Sequence, residues 1–598
     1  MTIRHGQHVP GPRQGVARWR ITVLCGFWIV AFGLLLLRVA DLQVIRAGAL
    51  TRLAIRQQIE SIQFPGHRGV ILDRVGRPLA ANVEVDSVFG VPRAIDNPVE
   101  FAHRVGPVLG LPPGEVLARL HRGGPYFAWL ARRLAPTSAA RIRALGLGDA
   151  TGIVPESRRD YPSAGLAASV IGFTGVDDVG LAGLELQYDA RLRGTGGLGL
   201  ADRDAIGREL MQTQRIVRPP RDGDTLVLSL DEVIQHIAER ELGRGLEQSG
   251  ARSGIAIVMD PRTGGILAMA TLPSFDPNHY QQTPPALWKS RAVSDVYEPG
   301  STFKLILAAA ALSSGAVTMN DRWSDPGQIR INGFTIHDAE PTEHFASLGL
   351  ADIVKYSSNV GAAQVATRVG KATFARYIRQ FGFGQPTGID LPGEAAGIIR
   401  PIDKWLGPSL QNIAFGQGIS VTPIQLLVAA SSFSTHGIAV RPHVVEVIRD
   451  PAGHAVATPA GRVPRRVIES GVADQVFAMM RAVVQGGTGV KAQIPGYEVA
   501  GKTGTAQRPS PSGGYAPGAY VASFVGIVPA DDPRLAILVI LDGPHGAYFG
   551  GDVAAPVFRE IARQVLWYLR VPPSNTATAA AAALPAVSAA PSNADRGR

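Results

Sequence analysis

Glu298-Pro299-Gly300-Ser301-Thr302-Phe303-Lys304 is the stretch around which the chain is organised, and it leads directly into an apolar, alanine-rich segment at residues 305–312. Proline and glycine interrupt helices, whereas the residues from Lys304 onward favour them, so the pattern predicts a helix with Ser301 in its first turn. Ser301 and Lys304 would share one face of that helix. A lysine with a lowered pKa can take the proton of a serine hydroxyl, and the free N–H groups of a helix N-terminus can stabilise an oxyanion. The stretch therefore predicts a nucleophile together with its base.

Lysine is rare in this chain, since only seven of the 59 lysine and arginine residues are lysines. Arginine does not release its proton in proteins, so a general base is one of the few roles that require lysine. By itself, however, Ser-x-x-Lys also fits a helix start whose serine is a cap and whose lysine is solvated. Further motifs are needed to decide between the two interpretations.

The composition indicates a large chain with several domains and excludes some classes of function. A length of 598 residues predicts about three to five domains. The single cysteine, Cys25, excludes intramolecular disulfides and cysteine-based metal sites. The net charge of +10 comes from arginines dispersed among acids, without basic runs interleaved with aromatic residues, so nucleic acid is not an expected partner. A basic surface suits an anionic membrane or an envelope polymer.

The N-terminal region has the charge pattern of a membrane anchor. Its first twenty residues contain four arginines and no acid, and residues 21–37 are uncharged and almost wholly apolar. As a helix this run would extend about 26 Å, enough to cross a thin bilayer if the flanking arginines snorkel. The positive flank predicts a cytoplasmic N-terminus with everything after Arg38 outside. A cleaved signal peptide ending near Ala47-Gly48-Ala49 is disfavoured, because charged residues intervene before that site.

After the anchor, the sequence predicts a succession of helices, strands and loops. Residues 42–65 are expected to be helical, residues 68–80 to form strands around a turn, residues 95–150 to form short helices, and residues 155–225 to form loops and strands. The G-x-G-x-x-G match at residues 194–199 follows no apolar strand and opens no predicted helix, so it does not indicate a dinucleotide site. Residues 222–231 predict a strand, followed by a helix at 232–248, where a second globular unit begins.

In this second unit the strand patterns precede and follow the Ser301 helix. Residues 254–260 and 266–271 predict a hairpin, residues 497–505, 521–528 and 535–541 predict three more strands, and residues 555–569 predict a closing amphipathic helix. The last segment, residues 572–598, is rich in Ala, Pro and Ser without periodicity and is expected to be disordered.

Two further motifs follow Ser301. Ser357-Ser358-Asn359 comes after a predicted helix at Leu350–Tyr356, where a turn could direct a hydroxyl and an amide into a cleft. Lys502-Thr503-Gly504-Thr505 is expected at the end of a strand, where Gly504 lets another backbone approach closely. Ser-x-x-Lys, Ser-x-Asn and Lys-Thr-Gly in this order are typical of penicillin-binding proteins and serine β-lactamases.

A competing interpretation is a P-loop at residues 496–503, which match that sequence pattern. An apolar run that ends at Asp542 resembles the strand and the acidic residue that would hold magnesium. A P-loop follows a strand and opens a helix. Here Pro495 precedes the match and a segment rich in Pro, Ser and Gly follows it, so a nucleoside triphosphatase is not expected.

Taken together, the motifs make the chain similar to a class B penicillin-binding protein, a monofunctional peptidoglycan transpeptidase, over residues 20–570. The Arg68-Gly69, Asp73-Arg74 and Gly76 pattern resembles the pedestal signature of that family, and the stretch Phe415-Gly416-Gln417-Gly418 before Thr422-Pro423 resembles one in its transpeptidase domain. The resemblance implies an α+β protein with a basic cytoplasmic tail (1–20), a transmembrane anchor (21–40), an elongated pedestal of the dimerisation type (41–228), a transpeptidase domain with an antiparallel five-stranded sheet flanked by helices (229–571) and the tail (572–598).

The same resemblance implies a role for each site residue. Ser301 would attack the penultimate D-Ala carbonyl of a stem peptide and release D-Ala, and Lys304 would accept its proton. Ser357 would relay the proton to the leaving amine, and Asn359 would hold the substrate amide and Lys304. Further implied roles are pKa lowering and carboxylate attraction for Lys502, carboxylate binding for Thr503 and Thr505 around Gly504, and an oxyanion hole from the N–H groups of Ser301 and Thr505.

The implied partners are stem peptides ending in D-Ala-D-Ala, β-lactams, the inner membrane, and division proteins including a polytopic SEDS-type glycan polymerase similar to FtsW. No metal and no cofactor is expected. Residues 358–361 and 381–394 resemble the cell-division member, which implies a septal location with an extracytoplasmic catalytic domain. Two alternatives stay open, an elongation-type transpeptidase and a division scaffold without catalysis. A β-lactamase is disfavoured because no Glu-x-x-x-Asn follows Ser357 to activate water.

Overall fold

The structure is a computed structural model that describes residues 18–64, 66–203, 209–331, 333–339, 344–458, 464–510 and 513–574, of which only the backbone is described at 53–64, 201–203 and 209–214. The expected cytoplasmic tail and the expected disordered tail lie almost entirely outside these residues. The described chain divides into two units. One comprises the residues up to 66 together with 195–221, and the other comprises residues 67–194 and those from 222 onward.

The strands in chain order are β1 (Ile59–Phe64), β2 (Ile71–Leu72), β3 (Pro78–Gly90), β4 (Ala128–Leu134), β5 (Thr151–Asp160), β6 (Gly197–Arg203), β7 (Glu209–Arg218), β8 (Thr225–Leu228), β9 (Ser253–Met259), β10 (Ile266–Leu272), β11 (Trp323–Asp325), β12 (Gln328–Ile331), β13 (Phe334–His337), β14 (Phe345–Leu348), β15 (Ile438–Ala439), β16 (Val445–Arg449), β17 (Ala455–Ala457), β18 (Arg465–Arg466), β19 (Ala500–Pro509), β20 (Tyr515–Val528) and β21 (Leu535–Asp542). The α-helices are α1 (Arg18–Ala40), α2 (Ala47–Gln58), α3 (Pro98–Leu109), α4 (Pro113–Arg122), α5 (Pro136–Ala144), α6 (Ala168–Ile171), α7 (Gly183–Gln187), α8 (Asp189–Leu192), α9 (Glu232–Ser249), α10 (Arg291–Ser294), α11 (Lys304–Ser313), α12 (Leu350–Tyr356), α13 (Asn359–Val369), α14 (Lys371–Gln380), α15 (Ser409–Ala414), α16 (Pro423–Ser431), α17 (Ser470–Gly486) and α18 (Gly550–Tyr568).

The first unit contains the N-terminal helix and a small sheet. Helix α1 continues as one π-helical segment, Asp41–Ile45, and in the described part of the chain Arg18–Ile45 is the one helix long and apolar enough to cross a membrane. This helix fits a single-pass anchor. The expected helix at 42–65 is wrong beyond residue 58, because β1 pairs antiparallel with β6 and β6 pairs with β7. The apolar residues of this strand, Ile59, Ile62 and Phe64, do not alternate strictly, and its partner lies more than a hundred residues away, so no local pattern predicts the strand.

In the second unit, a mixed sheet with the order β17-β16-β8-β2-β3-β4, and β5 on the other side of β3, forms the scaffold. Helices α3 and α4 bury Phe101, Val105 and Leu120 in one core with Leu130 of β4. The prediction of helices alone for residues 95–150 is wrong at β4, because two of its residues are arginines and only Ala128 and Leu130 of the strand are buried.

Two charged residues of the 68–80 stretch, Arg68 and Asp73, have structural roles. Asp73 accepts hydrogen bonds from the N–H groups of Val75 (2.9 Å) and Arg77 (2.8 Å) and so closes the turn. The buried Arg68 guanidinium donates to the carboxylates of Glu185 (2.6 Å) and Asp189 (2.7 Å). Because a buried charge is stable only when paired, these contacts fix the strand entering the turn.

The central sheet beside Ser301 is antiparallel and five-stranded, as expected, with the order β10-β9-β21-β20-β19. Both faces are buried. On β21, Ile537 and Val539 pack in the core formed with α9 and α18, whereas Leu538 and Ile540 pack in the core that contains α11. The order places β19 at one edge of the sheet, beside the start of α11.

Strand β19 differs from its prediction. It covers residues 500–509, so Lys502-Thr503-Gly504-Thr505 lies inside the strand and not at its end, and β20 begins at Tyr515 and not at residue 521. Gln507 pairs with Tyr520 and Pro509 with Tyr515, so the pairing of β19 with β20 extends into the segment rich in Pro, Ser and Gly. Pairing with β20 outweighs the local Pro, Ser and Gly content. Since Lys502 lies in a strand and opens no helix, the structure also agrees with the rejection of a P-loop.

Candidate active site

The turn that carries Ser301 is a short 3-10 segment, Gly300–Phe303, that continues into α11. Gly300 donates its N–H to the carbonyl of Gly416 (3.1 Å), and Gly418 donates to the Glu298 carboxylate (2.8 Å). Gly416 has φ +79°, and a Cβ there would lie 2.1 Å from the Gly300 carbonyl oxygen. The stretch at 415–418 therefore packs against the turn that carries Ser301 and holds it by hydrogen bonds. No larger residue fits at position 416.

Lys304 is buried at the start of α11, with 1% of its surface exposed. Its Nζ lies 3.1 Å from Ser301 Oγ, 2.8 Å from Asn359 Oδ1 and 3.3 Å from Ser357 Oγ, and it also donates to the Ser357 carbonyl. Helix α12 ends at Tyr356, Ser357 is left-handed with φ +65°, and α13 begins at Asn359. This break between two helices directs the Ser357 hydroxyl and the Asn359 amide toward the same lysine.

Lys502 reaches the cluster from the sheet edge. Its Nζ donates to Ser357 Oγ (3.0 Å) and to the carbonyl of Thr503 (3.1 Å), so the Ser357 hydroxyl lies between two lysine nitrogens. A Cβ at Gly504 would lie 2.8 Å from the Pro299 carbonyl oxygen and 2.4 Å from Ser523 Oγ. The close approach expected at Gly504 is therefore present, and it brings β19 against the Ser301 turn.

Burial controls the charge of both lysines. Burial lowers the pKa of Lys304 to about 7, against the opposing effect of the Asp338 and Asp325 carboxylates. Burial and the neighbouring Lys304 charge hold the pKa of Lys502 well below its usual value. At neutral pH a substantial fraction of Lys304 is therefore uncharged, which is the state required of a general base.

The cluster opens into a cleft of about 260 Å³ that Ser301, Ser357, Asn359, Thr503 and Thr505 line. The structure thus brings all eight predicted site residues together, with these five on the cleft lining and Lys304, Lys502 and Gly504 buried next to them. Their individual roles stay predictions.

Several cleft residues were not predicted from the sequence. The main additions to the lining are Asp338, Phe345, Gln417, Thr488, Phe549 and Gly550. Gly550 at the start of α18 donates its N–H to Thr505 Oγ1 (3.0 Å), and Thr488 Oγ1 lies 2.8 Å from Thr503 Oγ1. These contacts orient the two threonine hydroxyls, and no local pattern in the sequence points to them.

The fold and the site define a serine acyltransferase of the type that β-lactams acylate. The family model described as the penicillin binding protein transpeptidase domain matches residues 254–563, and that of the penicillin-binding protein dimerisation domain matches residues 63–228. Stage V sporulation protein D of Bacillus subtilis is 35% identical over 563 residues, which cover 93% of this chain and 86% of the relative. Peptidoglycan D,D-transpeptidase FtsI of Escherichia coli is 34% identical over 569 residues, which cover 94% and 93%.

Solved structures agree with these relatives. Penicillin binding protein 3 from Mycobacterium tuberculosis, complexed with aztreonam, superposes with a TM-score of 0.67 at 30% identity, covering 86% of this chain and 98% of that one. A peptidoglycan synthetase from Bifidobacterium adolescentis superposes with a TM-score of 0.70 at 27% identity. The chain belongs to the class B penicillin-binding proteins, in which a dimerisation domain precedes the transpeptidase domain.

Proposed function

We propose that this protein is a D,D-transpeptidase that cross-links peptidoglycan stem peptides through an acyl-enzyme on Ser301. The observation that carries this is the buried Lys304 Nζ at 3.1 Å from Ser301 Oγ, with a pKa lowered to about 7. In the first half-reaction Ser301 Oγ bonds to the penultimate D-Ala carbonyl carbon while its proton passes to Lys304. The amide bond then breaks, and a proton delivered through Ser357 leaves with the amine of the terminal D-Ala.

The second half-reaction reverses these steps with a different amine. An amine from another stem peptide attacks the ester carbonyl and gives up a proton, which passes to Ser301 Oγ as that oxygen is displaced. Thr503 and Thr505 bind the substrate carboxylate near the Lys502 charge, and Asn359 orients the substrate amide. The position of β19 at the sheet edge supports an oxyanion hole from the N–H groups of Ser301 and Thr505, since Gly300 packs against the Thr505 backbone. A β-lactam would enter the first half-reaction and remain on Ser301.

The test is reconstitution of the full-length protein in detergent with a glycan polymerase and a lipid-linked disaccharide pentapeptide. After muramidase digestion, mass spectrometry should detect cross-linked dimers and free D-Ala, and benzylpenicillin should abolish both. Release of D-Ala without cross-links would indicate a carboxypeptidase. Absence of both products, with an active polymerase present, would favour the scaffold alternative.

We further propose that the protein acts at the division septum, anchored by residues 21–40 with its N-terminus in the cytoplasm and beside a polytopic SEDS-type polymerase. The apolar helix Arg18–Ile45, the basic residues before it and the similarity to FtsI of Escherichia coli support this. A green fluorescent protein fused to the N-terminus, which becomes fluorescent only in the cytoplasm, should show a band at midcell. Fluorescence along the lateral wall would favour the elongation alternative, and a non-fluorescent, membrane-bound fusion would contradict the orientation.

A further inference from the structure

Asp338 lies in the active-site cleft, directly after β13. On the basis of the proposed acyl transfer, we propose that Asp338 is a positioning residue of the reaction, which holds Asn359 at the start of α13 and supplies a negative charge opposite the Lys304 ammonium. It acts through Asn359 and Lys304 and does not itself bond to the reacting atoms.

The first argument is the capping of α13. One oxygen of the Asp338 carboxylate accepts hydrogen bonds from the N–H groups of Asn359 and Val360 (3.1 Å to Val360). These belong to the first turn of the helix, whose N–H groups have no partner within the helix. A carboxylate at this end also interacts favourably with the helix dipole. Asp338 therefore helps to fix the backbone of Asn359, together with the Ser358 hydroxyl, which accepts from the N–H of Gly361 (2.7 Å).

The second argument is the orientation of the Asn359 amide. Its Nδ2 donates to the carbonyl of His337 (3.0 Å), next to Asp338, and its Oδ1 accepts from Lys304 Nζ (2.8 Å). Because Nδ2 donates its hydrogen bond to the His337 carbonyl, the other end of the amide, the Oδ1 oxygen, must face Lys304. The segment 337–338 thus holds both the backbone and the side chain of Asn359.

The third argument is electrostatic. Asp338 faces the buried Asp325 of β11, which accepts from the Ser358 hydroxyl and from the N–H of Gly327 (2.9 Å). Burial and Asp325 raise the pKa of Asp338 to about 6, so it is mostly ionised above neutral pH. The charged groups around Lys304 are Asp325, Asp338 and Lys502. Two further titratable groups lie nearby: His337 is exposed, and Asp552 on the cleft lining is paired with Lys491 (2.8 Å).

The sign of the effect follows from these charges. The carboxylates of Asp338 and Asp325 raise the pKa of Lys304 against the larger effect of burial. Loss of the Asp338 charge alone should lower that pKa below about 7. Since the base must be uncharged, acylation by a β-lactam should rise with pH through about 7 in the natural protein, and this rise should move to lower pH when the charge is removed.

The test is the pH profile of the second-order acylation rate with benzylpenicillin, measured on the full-length protein. Asp338→Asn keeps an oxygen that can cap α13 but removes the charge, and we expect its profile to shift down by about one pH unit. Its plateau rate should fall several-fold, because a weaker base removes the proton less effectively. Asp338→Ser also removes the charge and keeps a shorter hydroxyl acceptor, so it should show the same shift, and it keeps the proposal testable if the asparagine variant is unstable. Asp338→Ala, which loses cap and charge, should be slower at every pH.

A matched control is Asp352→Asn, because Asp352 caps α12 by accepting from the N–H of Gly349 (2.9 Å) without affecting the pKa of Lys304. This variant should keep the natural midpoint. An unshifted or upward-shifted midpoint in both Asp338→Asn and Asp338→Ser would overturn the role of Asp338. If the natural protein were not acylated at any pH, the proposed function would fall and the role of Asp338 with it.

Discussion

Replacing Ser301 with alanine is expected to abolish acylation by benzylpenicillin. The hydroxyl oxygen is the atom that forms the new bond. Of the two other serines that line the described cleft, Ser357 lies between two lysine nitrogens and Ser358 donates its hydroxyl to the buried Asp325 carboxylate. Removal of a serine nucleophile reduces turnover by about four to six orders of magnitude in enzymes of this kind. Intact-mass spectrometry after incubation should show a stable mass gain in the natural protein and none in Ser301→Ala.

The control for this variant is Ser313→Ala, at the other end of the same helix. It should acylate at the natural rate, and both variants should melt at nearly the natural temperature, because Ser301 is partly exposed at the cleft. A mass gain that persists in Ser301→Ala would place the nucleophile elsewhere. Antibiotic consumed by the natural protein without a stable adduct would indicate a hydrolase.

The second large effect is expected for Lys304→Arg. Arginine keeps the positive charge but cannot serve as a base, because its pKa stays far above the physiological range. The variant separates the positive charge of Lys304 from its capacity to remove the Ser301 proton (Nζ to Oγ, 3.1 Å). We expect the acylation rate to fall by about two to four orders of magnitude. Stopped-flow measurement with a chromogenic cephalosporin would give the rate.

Lys289→Arg is the matched control, because Lys289 is exposed and pairs with Asp295 at 2.6 Å away from the cleft lining. It should acylate normally. The larger guanidinium at position 304 has to fit a buried site, so circular dichroism should first establish that the variant is folded. A folded Lys304→Arg protein with a natural rate would show that another group is the base.

The parts of the site that could be predicted from the sequence are those in which chemistry and local pattern coincide. Ser301 with Lys304 is such a case, because three-residue spacing at a helix start needs no knowledge of distant residues. The helix Leu350–Tyr356 and the turn at Ser357 also follow from local signals. The structure brings Lys502 next to the other predicted residues, but inside β19 and not at its end, because the length of β19 depends on pairing with β20.

The residues that escaped prediction act through contacts between distant segments. Asp338 caps a helix that begins 21 positions later, and Gly550 contacts Thr505 across 45 positions. Neither contact leaves a periodic pattern, since each depends on how a loop folds back over the sheet. The same holds for the stretch 415–418, whose glycines could be recognised by resemblance but whose contact with Gly300 required the fold.

The mixed sheet has a mechanical consequence for the whole second unit. Its strand β8 pairs in parallel with β2 and antiparallel with β16, so segments that lie on either side of the expected boundary at residue 228 share one hydrogen-bonded ladder. Each ladder bond contributes about 0.5–1.5 kcal/mol, and bending at this point would have to break several of them together. A force that a partner applies to residues 67–194 would therefore be transmitted through β8 and β16 to the transpeptidase domain. It would not be relieved by rotation about a flexible linker.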